Sequence, residues 1–452
     1  MSSGRWGAIS PCQRHFAALF IAEFGLNQQV RSIVKARAPN QSDFSPRTLL
    51  PMIQPQNLNR RDFIKETVVA GALATAFHES GGVTAPTPSS LEGPIIVGRK
   101  VKVAVIGCGN VSGSYFPTLV ASPHIELVST CDIMPDRAEQ AAKKYGASRH
   151  FPHIDQLLAG PAFDLLVNLT DIQQHYQINR VALLASRHIW SEKPLGINYA
   201  EAKDLLEIAK AKGVQLLGSP TVVASPQFAF MAQTIRDGKL GRVAAAHASY
   251  GHTGPSWSSF FYDKNGGSLF DLGVYSITTL TGLLGPAKAV VAMTGIVTPT
   301  RNITGKGEVR VVAEDNAMLI MDHGDGVLSH IQSGFNYYTA REHSDTEPGH
   351  HTLSVVGTKG AIHLAGYDWG PHGVDLATRE TGGRLERKAS EAEGYQWQGG
   401  AVKMAEFLAT GVRPRFTAPH AAHVAEIIAG AHQSQATGQR IAMTSTFAPM
   451  VL

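Results

Sequence analysis

Apolar runs of strand length alternate with helical stretches between residues 101 and 218. Strands that alternate with helices of about 10 to 15 residues are typical of a parallel sheet covered on both faces. This half of the chain is therefore predicted to be a doubly wound α/β domain. The predicted strands are 101–106, 125–131, 164–169, 188–191 and 214–218, and the predicted helices are 110–122, 135–145, 173–186 and 199–211.

After about residue 221 the period of the pattern changes. Apolar and polar positions alternate there, as in strands with one buried face, and turn residues such as Gly324-Asp325-Gly326 separate several of the runs. We expect an α+β domain with a large, mainly antiparallel open sheet. The predicted strands are 243–250, 287–295, 317–323, 327–335, 352–357 and 361–364, and the predicted helices are 228–237, 273–284, 401–410 and 419–437.

The residues before the first strand resemble a twin-arginine export signal. Arg60-Arg61 is followed by a short uncharged run at 67–77 with small residues near its end. An amphipathic helix with two surface arginines is the alternative. The run is shorter than the roughly 20 residues of a membrane-spanning helix, so no span is expected in the mature protein. The predicted organisation is a leader or over-extended start at 1–57, a signal at 58–78, a linker at 79–99, and domains at 100–220 and 221–445.

The charge of the chain is concentrated near its beginning. The 452 residues include 40 basic and 36 acidic side chains, a formal net charge of +4. Residues 1–57 hold six basic and two acidic side chains, and residues 58–76 hold three basic and two acidic ones. The rest of the chain has 31 basic and 32 acidic side chains. The nearly neutral body does not favour a nucleic-acid partner. Three cysteines without paired spacing predict neither a disulfide framework nor a zinc site, and Cys108 and Cys131 are expected to be buried thiols.

A glycine motif, Gly107-x-Gly109-x-x-Ser112, joins the first strand to the first helix. Gly107 permits a tight turn, Gly109 lets a pyrophosphate approach the backbone, and the helix N-terminus presents free N–H groups. Asp132 ends the second strand, where a carboxylate accepts hydrogen bonds from a ribose diol and repels a 2′-phosphate. The first domain is therefore predicted to be a Rossmann domain that binds NAD, with NADP less favoured.

Two further motifs supply acid–base groups. Lys193 follows the strand 188–191, and because doubly wound sheets bind ligands beyond the carboxyl ends of their strands, it is predicted to reach the cofactor cleft and stabilise an alkoxide. Asp271 and Tyr275 are four residues apart and would face one side of a helix. We expect Lys193 to lower the pKa of Tyr275 so that the phenol exchanges a proton with substrate. Taken one at a time, Lys193 also fits a solvated turn, Asp271 a helix cap and Tyr275 a core aromatic.

Together the motifs resemble those of the Gfo/Idh/MocA oxidoreductases, the glucose–fructose oxidoreductase and inositol dehydrogenase family, over residues 102–441. The resemblance implies that Lys193 is the catalytic lysine, that Asp271 orients the substrate, and that His175 lies near the nicotinamide. It also implies a C-terminal domain that carries the substrate and mediates homo-oligomerisation. Tyr275 stands where many members have histidine. The expected cofactor-binding residues are Gly107, Gly109, Asn110, Val111, Asp132, Thr170, His175, Glu192 and Lys193.

His252 and Trp257 are predicted to contact a sugar, since aromatic faces suit the apolar faces of pyranose rings. The histidines of the second half include His252, His343, His350, His351 and His372. These five histidines lack the spacing of metal ligands, so no metal site is predicted.

The export signal constrains the chemistry. Free NAD is scarce outside the cytoplasm, so an exported enzyme is expected to keep its cofactor bound and to return it to its starting redox state in each turnover. We therefore predict a periplasmic or extracellular NAD(P)-dependent oxidoreductase acting on the CH–OH group of a sugar or polyol. One alternative is a glycosidase or lyase that works through a transient keto-sugar. A second is a catalytically inactive sugar- or nucleotide-binding protein, and without the signal the location would be cytoplasmic.

Overall fold

The structure is a computed structural model that describes residues 96–338, 351–390 and 394–450. The predicted leader, the predicted signal and the predicted linker up to residue 95 lie outside the described residues. All of the described residues belong to one unit, Ala85–Leu452. Within the described part of the chain, no helix combines the length and the apolar character needed to cross a bilayer.

Six strands form the first sheet, and every pair of neighbours is parallel. They are β1 (Val101–Ile106), β2 (Ile125–Cys131), β3 (Arg149–Phe151), β4 (Leu165–Asn168), β5 (His188–Ser191) and β6 (Leu216–Gly218). Their order is β3-β2-β1-β4-β5-β6, so the direction of winding reverses between β1 and β4. Doubly wound sheets bind ligands in the crevice at such a reversal.

Helices cover both faces of this sheet. They are α1 (Ser112–Ala121), α2 (Pro135–Tyr145), α3 (Ile154–Ala159), α4 (His175–Leu184) and α5 (Tyr199–Lys212). α5 shows why such helices begin and end where they do. The Asn198 side chain accepts a hydrogen bond from the Glu201 N–H at its start, and Gly213 ends it in the left-handed conformation, with φ of 65°.

Nine strands form the second sheet, in the order β16-β15-β14-β13-β7-β12-β11-β8-β17. Neighbouring strands are antiparallel except for β7 and β12, which are parallel. A separate hairpin consists of β9 (Thr300–Ile303) and β10 (Gly307–Arg310). The strands of the sheet are β7 (Val243–Gly251), β8 (Ala289–Gly295), β11 (Asn316–Gly324), β12 (Val327–Gly334), β13 (His351–Gly357), β14 (Gly360–Tyr367), β15 (Gly370–Thr378), β16 (Glu386–Lys388) and β17 (Ile441–Ala442).

Four longer helices accompany the second sheet: α6 (Pro226–Arg236), α7 (Val274–Leu284), α8 (Gly400–Thr410) and α9 (Ala418–Thr437). α9 packs against β8 of the second sheet and against α5 of the first layer. α8 returns to the first sheet, where a Cβ on Gly400 would lie 2.0 Å from the ring of the fully buried Trp190. Only glycine permits this approach of α8 to Trp190. Helices α8 and α9 therefore pack the last part of the chain against both sheets.

The predicted fold class is confirmed: a Rossmann-type parallel sheet is followed by a domain with a large, mainly antiparallel sheet. The pattern missed several short elements. β3 and α3 have three and six residues, which is too few for a period to appear. β15 was missed because Pro371, Gly373 and the buried Asp375 interrupt its alternation. The sequence also gave no indication of β9, β10, β16 or β17.

Two histidines of α9 are buried against α7 and the C-terminal segment. The Nε2 of His420 lies 2.8 Å from the Thr281 hydroxyl, and its ring centroid lies 4.2 Å from that of Phe447. Burial lowers the pKa of His420 to about 3 and that of His423 to about 4. Unfolded histidine titrates near pH 6.5. Only the unfolded chain therefore takes up these protons between about pH 6.5 and 4, which destabilises the fold as the pH falls through that window.

We expect the His420→Gln variant to lose less stability than the native chain when the pH falls from 7 to 4.5. Each proton taken up only by the unfolded chain lowers the free energy of unfolding by about 1.4 kcal/mol per pH unit. Guanidinium unfolding at several pH values measures this slope. The control is His150→Gln, at an exposed position, which should keep the native slope. Equal slopes for His420→Gln and the native chain would contradict the assignment.

Candidate active site

A cavity of about 450 Å³ lies at the carboxyl ends of the parallel strands, between the first sheet and the start of α7. It brings together ten of the residues singled out in the sequence: Gly109, Asn110, Val111, Thr170, His175, Glu192, Lys193, Trp257, Asp271 and Tyr275. Three others, Gly107, Asp132 and His252, are not among the described residues that line it.

Gly107 shapes the glycine loop from behind. Its φ is +89°, and a Cβ would lie 2.6 Å from the carbonyl carbon of Leu169, so only glycine fits between β1 and the end of β4. Asp132 supports the same loop, since its carboxylate accepts hydrogen bonds from the N–H groups of Cys108 at 2.7 Å and Met134 at 2.8 Å. Both residues therefore act on the cavity through the loop they hold in place.

Gly109 has a different reason to be glycine. A Cβ at this position would meet no protein atom within 4 Å, although the residue lines the cavity. The N–H groups that begin α1, those of Ser112, Gly113 and Ser114, donate to the carbonyls of Gly109, Asn110 and Val111. Among the described residues, no acceptor faces the N–H groups of Gly109, Asn110 and Val111 themselves. The loop is thus an open cradle with donors for a pyrophosphate, and the residues present fit a dinucleotide. Asp132 supports this cradle through the Cys108 and Met134 N–H groups, and its contact with a ribose stays a prediction.

A buried ion pair joins the two domains across the cavity. The Nζ of Lys193 donates hydrogen bonds to the carboxylate of Asp271 at 2.8 Å and to its carbonyl oxygen at 2.9 Å. The two side chains are only 10% and 15% exposed. An ammonium has three N–H donors, so after these two bonds one donor can serve a ligand oxygen.

Asp271 is presented by a π-helical turn, Leu269–Gly273, directly before α7. Glu314 holds this turn: its carboxylate accepts the Leu269 N–H at 2.9 Å, and its carbonyl accepts the Ser268 N–H. A Cβ on Gly267, where φ is +104°, would lie 2.2 Å from that carboxylate. Gly267 is therefore required by the packing of Glu314, a role that sequence spacing did not reveal.

Glu192 fixes the backbone of Lys193. Its carboxylate accepts the Lys193 N–H at 2.9 Å and the Tyr115 hydroxyl at 2.5 Å. Tyr115 is fully buried in α1, where burial and the nearby Glu192 charge raise the pKa of its phenol well above the usual value. The phenol therefore remains a donor. No local signal could reveal Tyr115, since it is 77 positions from its partner.

His175 connects the ends of two strands. Its Nδ1 lies 2.8 Å from the Pro194 carbonyl oxygen and its Nε2 lies 2.8 Å from that of Thr170. Burial lowers the pKa of His175, and the two carbonyls act in the opposite direction. The Lys193–Pro194 peptide next to it is cis. The ring thus ties the residue after β4 to the Glu-Lys-Pro turn after β5.

The structure changes the expected role of Tyr275. The Lys193 ammonium lies over the face of its ring, 5.2 Å from the centroid. Burial, together with the nearby charges of Glu192 and Asp271, raises the pKa of Tyr275 well above the usual value. The expectation that Lys193 lowers this pKa is wrong, because the aspartate and glutamate charges and the loss of water outweigh the cation. Tyr275 is therefore suited to donating a proton or a hydrogen bond at neutral pH, and unsuited to accepting a proton.

The two predicted sugar contacts differ in position. Trp257 lines the cavity and is 54% exposed. His252 instead packs on Phe335, with ring centroids 5.6 Å apart, and its Nδ1 accepts the Gly254 N–H. His252 thus stabilises the turn after β7 and does not line the cavity. The cavity is also lined by residues that were not predicted as site residues: Arg137, Trp397 and Gln398.

The site geometry defines an NAD-binding oxidoreductase, and two family models agree with it. Residues 101–218 match the model described as "Oxidoreductase family, NAD-binding Rossmann fold", and residues 228–363 match the "GFO/IDH/MocA C-terminal domain". Together the matches span more than half of the 452 residues. The chain belongs to the Gfo/Idh/MocA family and is an NAD(P)-dependent oxidoreductase, which confirms the predicted enzyme class and the predicted cofactor, NAD.

Relatives within this family differ in their names. A dTDP-3,4-didehydro-2,6-dideoxy-α-D-glucose 3-reductase from Streptomyces violaceoruber is 28% identical over 54% of this chain and 69% of its own length. A glycosyl hydrolase family 109 protein from Streptomyces coelicolor is 29% identical over 44% of this chain and 46% of its own length. The crystal structure of an aldose-aldose oxidoreductase from Caulobacter crescentus, 18% identical, shares the fold with a TM-score of 0.65 over 76% of this chain and 100% of that one.

We expect Gly109→Ala to weaken NAD binding at least tenfold without lowering the melting temperature of the protein alone. The added methyl group enters the open cradle and meets no protein atom, so it interferes only with a pyrophosphate. Calorimetric titration with NAD and thermal unfolding without it provide the two measurements. Gly113→Ala, also in open space but outside the lining of the cavity, is the matched control and should bind NAD normally. Unchanged NAD affinity in Gly109→Ala would rule out this cradle.

Proposed function

We propose that this enzyme oxidises or reduces a CH–OH group of a sugar or polyol in the cavity at Lys193. The observation that carries the proposal is the buried Lys193–Asp271 pair at the carboxyl ends of the parallel strands, beside the open glycine cradle. A bound NAD supplies the acceptor or donor of hydride. The protein must then manage the proton and the charge on the substrate oxygen.

Lys193 is the group suited to the substrate oxygen. With two N–H donors held by Asp271, its orientation is fixed, and the third donor can stabilise an alkoxide or deliver the proton. Tyr275, which stays protonated, supplies a second donor to the same region. Asp271 positions the ammonium and balances its charge in a site where both side chains are largely buried.

The walls of the cavity support a carbohydrate as substrate. Trp257, Phe260 and Phe261 offer apolar faces beside the polar groups, which suits a ring with hydroxyl edges and an apolar face. The names of the relatives, a dideoxyglucose reductase and an aldose-aldose oxidoreductase, point the same way.

The twin-arginine pattern supports export with the cofactor already bound. We propose a periplasmic or extracellular enzyme that recycles its NAD internally, by oxidising one sugar and reducing another. Homo-oligomerisation is part of this proposal and rests on the family resemblance of the C-terminal domain.

A second function is favoured by the glycosyl hydrolase family 109 relative. Oxidation of a hydroxyl to a ketone acidifies the neighbouring C–H bond, and loss of that proton expels the glycosidic oxygen by elimination. Water then adds to the resulting enone, and return of the hydride to the ketone closes the cycle. The same Lys193 would serve the oxidised hydroxyl in both functions, so the site alone leaves both in place.

Replacement of Lys193 by methionine tests the assigned role. We expect Lys193→Met to lower kcat by about 10²-fold or more, the range of a lost acid–base group, with NAD affinity changed less than threefold. The substrates are a panel of glucose, galactose, N-acetylglucosamine and myo-inositol, followed by NADH absorbance or product analysis. Lys212→Met, at the end of α5, is the control and should retain full activity. An unchanged kcat, or a loss of NAD binding large enough to account for the lost activity, would overturn the role of Lys193.

Denaturation of the enzyme tests cofactor capture. We expect the protein purified from the periplasmic fraction to release a roughly stoichiometric amount of NAD(H) when denatured, because a cofactor loaded in the cytoplasm must stay bound. Enzymatic cycling assays distinguish NAD(H) from NADP(H). A cofactor-free protein that needs added NAD for activity would refute internal recycling. If dinucleotide is found, turnover of a single glycoside without a second sugar would identify the glycosidase function.

A further inference from the structure

A second cavity adjoins the catalytic one. It has a volume of about 580 Å³ and shares Ser114, Trp397 and Gln398 with the cavity at Lys193. We call it the outer cavity. Its far wall is the turn between β14 and β15, where Trp369, Gly370 and His372 line it. The two cavities are therefore neighbours, with Ser114, Trp397 and Gln398 on their common border.

Trp369 is held rigidly at the far wall. Its indole N–H donates to the Tyr250 hydroxyl at 2.8 Å, and its ring stacks on Tyr367 with an interplanar angle of 7°. The preceding residue, Asp368, is buried and accepts a hydrogen bond from Thr279 of α7 at 3.0 Å. A ring fixed in this way loses little conformational entropy when a ligand packs on it.

Trp397 links the two cavities. Its ring centroid lies 6.4 Å from that of Tyr275 and 5.8 Å from that of Trp369. Its carbonyl oxygen accepts the Thr221 hydroxyl at 2.7 Å, which anchors the segment to the end of the first domain. Aromatic rings thus continue from the catalytic residues to the far wall of the outer cavity.

The wall of the outer cavity is mainly apolar and includes a few neutral hydrogen-bonding groups. Among the described residues that line it none is lysine or arginine, so a diphosphate would find no cationic partner there. Gln396 and Gln398 offer amide donors and acceptors, and Ser114 and Thr118 offer hydroxyls. Indole faces combined with neutral hydrogen-bonding groups match the apolar face and hydroxyl edge of a pyranose.

We propose that the outer cavity binds a second sugar ring, so that the substrate is a disaccharide or a longer oligosaccharide whose reacting ring lies at Lys193. This inference rests on the proposed function, which places the reacting ring in the catalytic cavity. Nucleotide sugars are the contrasting class, because their diphosphate would have to cross the neutral outer cavity.

Equilibrium binding to the NAD-loaded protein tests the subsite without requiring turnover. Calorimetry compares methyl glycosides of glucose, galactose and N-acetylglucosamine with cellobiose, maltose, lactose and chitobiose. We expect at least one disaccharide to bind about tenfold or more tightly than its monosaccharide component, the gain of one well-packed aromatic contact. UDP-glucose should bind no more tightly than methyl glucoside.

Variants then show which residues provide the gain in affinity for the disaccharide. Trp369→Ala should abolish the preference for the disaccharide and leave the affinity for the methyl glycoside within about twofold. Gly370→Val provides a second variant, since a Cβ there meets no atom within 4 Å apart from its chain neighbours, and the added side chain would enter the outer cavity. Trp257→Ala, in the catalytic cavity, is the control and should weaken both classes of ligand equally.

The outcomes separate this proposal from the proposed function. No disaccharide preference, a preference that persists in both outer-cavity variants, or tighter binding of UDP-glucose overturns the subsite even if Lys193→Met abolishes oxidation. A disaccharide preference that depends on Trp369, in a protein that reduces no NAD with any of these sugars, supports the subsite and removes the proposed function.

Discussion

The catalytic site depends on one buried ion pair between two domains. Lys193 follows β5 of the parallel sheet and Asp271 precedes α7 of the second domain, yet their side chains meet at 2.8 Å. Removing an ammonium from water is costly unless a carboxylate and further hydrogen bonds replace the water. The approach of the two domains supplies that partner, and the same approach closes the walls of the cavity around the group that must handle a substrate oxygen.

The surrounding contacts hold this pair in one geometry. Glu192 binds the backbone of Lys193 and is itself bound by Tyr115, while Glu314 binds the turn that presents Asp271. None of these supporting groups needs to touch substrate. Their effect is to keep the ammonium oriented before any ligand arrives, which is the condition for stabilising a charge that develops only during reaction.

The sequence predicted the two sheet types and most of the groups that line the site, because each left a local signal: Gly107 and Gly109 between strand and helix, Lys193 after a short strand, Asp271 beside Tyr275. What could not be predicted depends on distant partners. Tyr115 and Trp397 reach the site through packing, and the pKa of Tyr275 is set by burial and by Glu192. The expected effect of Lys193 on that pKa failed because spacing along the chain shows neither the burial of the phenol nor the nearby charges of Glu192 and Asp271.

The glycine at the start of α8 has a consequence for motion. With Gly400 pressed against Trp190, and α9 packed on both α5 and β8, the end of the chain joins the two domains along two helices. A hinge rotation that opened the cleft would have to separate these close-packed surfaces. This packing favours a cleft that keeps its shape when ligands enter and leave, so complementarity already present in the free protein contributes to the choice of substrate.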